Sequence, residues 1–169
     1  MILRESSIRL KYMEYVLPND PCVQEVLKTA EGRLWKESSK MQRAELVCQW
    51  VAGRIKHIYA CQSICPSTVL STNEGTCLSK SVLLVSILRA LGFSENEVFV
   101  AVLARKEKDF SEFLHAAVLL REDAAMVSNN VFLLDPSGGL SRNVIIDELL
   151  SSNSPVAIFN DKTVLTVEQ

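Results

Sequence analysis

The sequence predicts an α+β fold, with helices in the first half and strands in the second. Three observations carry this expectation. Apolar residues recur at helical spacing up to Leu91. From Val98 onward, short β-rich runs alternate with turn residues. No linker, repeat or low-complexity stretch divides the 169 residues, so a single domain over 1–169 is expected.

The elements follow in order. Asp20 before Pro21 is a helix-start signal, and one helix is expected from Pro21 to Leu34. Lys40 to His57 places Met41, Ala44, Leu46, Val47, Trp50, Val51 and Ile55 on one helical face. Ile58 to Thr76 reads as loop, with room for a short helix after Ser67. Cys77 to Leu91 is apolar nearly all round, as buried helices are, and Gly92 is its expected stop. Val98–Leu103, His115–Leu120 and Val131–Leu134 read as strands. A turn over Asp135–Gly139, a short helix over Ile145–Leu150 and a hairpin of Pro155–Phe159 with Thr163–Val167 complete the chain.

Composition narrows the function. The chain is 48% hydrophobic and 22% charged, with net charge −2, which fits a soluble globular protein. It lacks the basic excess of a nucleic-acid binder. Charges interrupt the N-terminal residues, and no run reaches the roughly 20 apolar residues of a membrane helix. A cytoplasmic protein that binds neither nucleic acid nor membrane is expected. Five cysteines, an odd number, argue against a disulfide framework and leave at least one thiol free.

Cys77 opens the buried helix after Gly75 and Thr76. A helix N-terminus favours thiolate over thiol, and its unused N–H groups can receive an oxyanion. Gly75 would let the backbone approach a substrate closely. The same features fit a structural cysteine that begins a core helix. His115, one of two histidines, opens a strand and is placed to act as base, or to sit at the surface. Asp135 ends the next strand, where it could orient His115 or simply start a turn. His57, Cys61 and Cys65, with Cys48 as spare ligand, form a weaker metal-binding pattern, and isolated thiols account for them better. No metal or other cofactor is expected. Trp35 and Trp50 read as core or cleft-wall residues.

Taken together these motifs resemble the transglutaminase-like superfamily of papain-related cysteine enzymes. The resemblance spans about Leu46 to Gly139. It is carried by Trp50 to Tyr59, Pro66-Ser67-Thr68-Val69-Leu70, Gly75-Thr76-Cys77, Leu88-Arg89-Ala90-Leu91-Gly92, His115-Ala116-Ala117-Val118 and Leu134-Asp135-Pro136-Ser137. It implies a nucleophile-bearing helix packed on a C-terminal antiparallel sheet, with Cys77, His115 and Asp135 as a catalytic triad. It also implies amide or thioester chemistry through a thioester acyl-enzyme, by a peptidase, deamidase or acyltransferase. The substrate would be a peptide, a protein or an acyl thioester. Ala117 departs from the family's frequent aromatic residue at that position. Tyr59, Gln62 and Gln49 are candidates for the side-chain donor of the oxyanion hole. The alternative is a catalytically silent fold acting as a protein-interaction module. The sequence does not specify an oligomeric state.

Overall fold

The computed structural model describes residues 2–60, 63–105, 114–121 and 130–168. Strand β1 (Ile2–Ser6) and a 3-10 helix (Lys11–Tyr15) lead into helices α1 (Pro21–Lys28), α2 (Ala30–Glu37) and α3 (Lys40–Arg54). Short strand β2 (Lys56–His57), helix α4 (Pro66–Thr72) and short strand β3 (Glu74–Gly75) precede α5 (Cys77–Ala90). Strands β4 (Val98–Arg105), β5 (Leu114–Leu120), β6 (Asn130–Asp135) and β7 (Leu140–Ile145) follow. Helix α6 (Ile146–Ser152) and strands β8 (Asn153–Phe159) and β9 (Val164–Glu168) close the chain.

Seven strands form one sheet in the order β1-β9-β8-β4-β5-β6-β7, and every pairing in it is antiparallel. The sheet is covered on both faces, which explains why its central strands are nearly continuous apolar runs. Val98, Val100, Val118, Leu120 and Leu134 join the core formed with α1, α3 and α5. Their alternates Phe99, Ala101, Leu103 and Leu119 pack with Ile146, Leu149 and Leu150 of α6 on the other side. The period of two along each strand distributes side chains between the two cores.

Helix α5 lies at the centre of the larger core, with Val82 to Leu88 fully buried and Ser86 enclosed among them. Ser86 Oγ donates to Val82 O at 2.8 Å and accepts from Leu17 N at 3.0 Å, so its burial leaves no unmet polar group.

The expected single helix from Pro21 to Leu34 is two helices. Thr29 adopts extended backbone and caps α2, accepting from Gly32 N at 3.2 Å while its hydroxyl donates to Val26 O at 2.6 Å. Gly32 permits the sharp turn, since a Cβ there would lie 2.5 Å from Leu27 O. The expected helix to His57 ends at Arg54, because Lys56 and His57 pair in parallel with Glu74 and Gly75. The loop read over Ile58–Thr76 contains α4, which starts at Pro66, slightly before the anticipated position. Strands β1 and β7, both at sheet edges, were not anticipated. Among the described residues, no helix is long and apolar enough to cross a membrane.

Leu84 is fully buried in the larger core. Leu84→Ala is expected to lower unfolding stability by about 2–5 kcal/mol, the range for truncating a buried leucine. Chemical denaturation with an unchanged m-value would register that loss.

Candidate active site

The site is built around the start of α5. Asn73 ends α4 in the left-handed conformation at φ 54°, and its backbone O accepts from Lys56 N at 2.8 Å. Arg54 Nε donates to Asn73 Oδ1 at 3.0 Å, holding the turn against α3. The chain then runs beside β2, where Ile58 N donates to Gly75 O at 3.0 Å. Thr76 caps α5 by accepting from Ser79 N at 3.3 Å, and Cys77 is the first helical residue.

Gly75 has a packing role at this turn. A Cβ on Gly75 would lie 2.7 Å from Ser79 Oγ, 3.2 Å from Lys80 Cγ and 3.3 Å from Ile55 Cγ2. The missing side chain therefore faces the first turn of α5, and its absence allows that turn to pack against β3.

The sheet supplies the other two residues. Strand β5 pairs with β6 from Val118 onward, opposite Leu134. His115 lies on the part of β5 before this pairing begins, and Asp135 ends β6. His115 Nε2 lies 2.9 Å from Asp135 Oδ2. That contact leaves Nδ1 as the ring nitrogen for the thiol of Cys77, with which His115 also hydrogen-bonds. Asp135 Oδ1 accepts from Ser137 N at 2.9 Å, so both carboxylate oxygens are engaged. The structure thus brings Cys77, His115 and Asp135 together.

The electrostatics favour an ionised pair. Burial pushes the Cys77 thiol upward, but the hydrogen bond with His115, the N–H of Ala116, the imidazolium charge and the N–H of Leu78 bring it below its ordinary value. The hydrogen bond to Asp135, followed by that to Cys77, raises His115 to about 9 against the opposing effect of burial. Burial also pushes Asp135 upward, and the hydrogen bonds from His115 and Ser137 N reverse it, leaving the carboxyl below its usual range. Thiolate, imidazolium and carboxylate are mutually supporting.

Lys80, one turn beyond Cys77, was not singled out from the sequence. It is 1% exposed and ranks among the largest fully buried side chains. Burial lowers its pKa, while Asp135 and Cys48 oppose that shift. The available signal was a charged residue in the first turn of a helix that is apolar nearly all round.

A cleft of about 450 Å³ opens over Cys77. His57, Ile58, Tyr59, Leu114 and Ser137 line it together with the three residues of the site and Thr76. Tyr59, a candidate oxyanion donor, therefore stands in the cleft. Gln49 is an exposed residue of α3 outside its lining. Gln62 lies outside the described residues, as does Cys61 of the metal-binding pattern. Among the described residues, no group of three or more His, Cys, Asp and Glu side chains is arranged to hold a metal. Ala117 is 1% exposed and packs in the sheet rather than in the cleft. Trp35 is buried and meets Trp50 edge to face, with ring centroids 5.4 Å apart.

This architecture is an α+β fold of the papain/transglutaminase-like kind. LapG of Legionella pneumophila superposes with a TM-score of 0.62 at 13% identity, over 91% of this chain and 84% of that one. Its calcium-bound form gives 0.63 at 13% identity, over 87% of each chain. A Cytophaga hutchinsonii structure, described as that of a candidate cysteine protease, gives 0.58 at 13% identity. That match covers 95% of this chain and 52% of the other, so this chain spans about half its length. At such identity the likeness is one of fold. No family model matches the chain, and no curated protein matches it in sequence.

Two outcomes test this geometry. The His115 ring is expected to titrate near pH 9. In Asp135→Asn it should titrate closer to 6.5, because the largest upward influence on it is weakened; imidazole NMR shifts followed against pH would measure this. Gly75→Ala is expected to cost about 1–3 kcal/mol, as overpacking does. It should also slow alkylation of Cys77 by displacing the first turn of α5.

Proposed function

We propose that this protein is a cysteine-dependent hydrolase or acyltransferase acting on an amide or thioester carbonyl. The observation that carries the reading is Cys77 at the start of a buried helix, hydrogen-bonded to a histidine whose other ring nitrogen is 2.9 Å from Asp135. The likeness of fold to a candidate cysteine protease supports it.

In the proposed mechanism Cys77 rests as thiolate and His115 as imidazolium. The sulfur attacks the carbonyl carbon, a C–S bond forms, and the C=O π pair moves onto oxygen. The N–H of Cys77, at the first position of α5, is free of helical bonding and can donate to that oxyanion. As the oxyanion collapses, His115 Nδ1 gives its proton to the leaving group. The C–N or C–S bond to that group breaks, leaving a thioester on Cys77. A second nucleophile, water or an amine, then loses its proton to Nδ1 and attacks the thioester. Cys77 leaves as thiolate beside the re-formed imidazolium. Asp135 holds the ring and balances its charge throughout, a role that does not require it to take the proton. Peptides, proteins and acyl thioesters all carry a carbonyl suited to this sequence.

Site-resolved alkylation by iodoacetamide, followed by mass spectrometry against pH, tests the reading. Cys77 is expected to react fastest of the five thiols, with a midpoint below 9.0. In His115→Ala the midpoint should rise, because burial then acts with less opposition. The rate at pH 7 should fall by about 10-fold for each pKa unit of that rise. A Cys77 that is unreactive, or indifferent to the loss of His115, would overturn the catalytic assignment and favour an interaction module instead.

A further inference from the structure

We propose that the cleft selects an acyl residue with a bulky, uncharged apolar or aromatic side chain, gripped between Tyr59 and Leu114. The proposal rests on the reading of Cys77 as nucleophile and specifies the substrate of that same site.

Two large apolar side chains stand exposed in the cleft lining beside the nucleophile. Tyr59 is 93% exposed and Leu114 is 54% exposed. Single exposed apolar residues are ordinary on a protein surface. Here two share one cleft with a thiol, and Ile58 adds a third apolar side chain to the lining. An apolar group seated among them would remove apolar surface from water on both partners.

The wall is fixed relative to the thiol. The Tyr59 ring stands edge-on to His57, with centroids 5.3 Å apart and planes at 88°. His57 is paired in β2 with Gly75, two residues before Cys77, and Ile58 N bonds to Gly75 O. On the other side, Leu114 precedes His115 on β5 and pairs with Ala104 of β4. Each wall is therefore joined through the main chain to a reacting residue.

Charge argues against a charged substrate side chain. Among the described residues, the ionisable groups lining the cleft are His57, Tyr59 and the three residues of the site. Cys77, His115 and Asp135 are committed to one another. A carboxylate entering the cleft would lose water without gaining a dedicated cation from the described lining. An ammonium or guanidinium would have only ring faces to offset its desolvation. At about 450 Å³ the cleft is at the smaller end of ligand sites, suited to a side chain and its scissile carbonyl rather than a folded surface.

The test uses N-acetyl-aminoacyl chloromethyl ketones that share one reactive group and carry phenylalanyl, leucyl, glycyl, aspartyl or arginyl side chains. The rate of Cys77 modification is read by mass spectrometry and divided by the iodoacetamide rate of the same protein. Phenylalanyl and leucyl probes are expected to react at least about 10-fold faster than glycyl and aspartyl ones, the discrimination expected of an apolar pocket. Tyr59→Ala and Leu114→Ser should each reduce the phenylalanyl-to-glycyl ratio several-fold, whereas Tyr59→Phe should keep it. Equal loss with all probes in Tyr59→Phe would instead make the hydroxyl an oxyanion donor and overturn the assignment of Tyr59 as a specificity wall. A flat series, or an arginyl probe that reacts fastest, would overturn the apolar preference while prompt iodoacetamide labelling left the nucleophile intact. Failure of iodoacetamide labelling at Cys77 would remove both readings together.

Discussion

The constraint on which the rest of the structure depends is the burial of α5 with its first turn beside the start of β5, which is paired with β4 but not yet with β6. The helix is apolar around its circumference because α1, α3 and α4 pack on it from one side and the sheet from the other. A helix held that firmly has little freedom to slide, so the position of its first residue is set by the core. Strand β5 begins its pairing with β6 only at Val118, which leaves His115 and Ala116 available to the thiol. Packing and sheet register together place Cys77, and neither alone would do so.

Cys48 and Cys77 show what partners add to burial. For both Cys48 and Cys77, loss of water is the largest influence and pushes the thiol upward. Cys48 faces Asp135 and Glu45 with only the charge of Lys80 to oppose them, and it rises to about 12. Cys77 has His115 and two backbone N–H groups, and it falls below the ordinary value. The same protein thus holds one thiol raised and one lowered from the ordinary value. The difference lies in which hydrogen-bond donors the fold supplies, as expected where reactivity follows thiolate stability.

Much of this arrangement was legible in the sequence because it rests on local patterns. The apolar circumference of α5, its Gly92 stop and the runs of β4, β5 and β6 are each visible within a window of a few residues. The order of Cys77, His115 and Asp135 along these elements indicated how they could meet. What escaped notice depends on distant partners. Strand β7 carries Ser141, Arg142 and Asn143 and has strand identity only because β6 lies beside it. Strand β1 pairs with β9 at the opposite end of the chain. The break at Thr29 was hidden because Ala30, Leu34 and Trp35 continue a helical pattern, while the contact between Gly32 and Leu27 becomes apparent only in three dimensions. Lys80 escaped for the same reason, since its burial depends on what covers the first turn of α5.

Gly75 links these observations. As a residue of β3 it fixes β2, and through β2 the ring of His57 and the edge-on Tyr59. As a residue without a side chain it admits Ser79, Lys80 and Ile55 against the start of α5. A single backbone position therefore bears on both the nucleophile and one wall of the cleft. Movement of that wall would strain the β2–β3 pairing, and movement of the thiol would disturb the packing beneath Gly75. The start of α5 and the main chain of one cleft wall are consequently positioned together. In the proposed mechanism, the hydrogen bonds of His115 keep the imidazolium aligned with the thiolate before a carbonyl arrives.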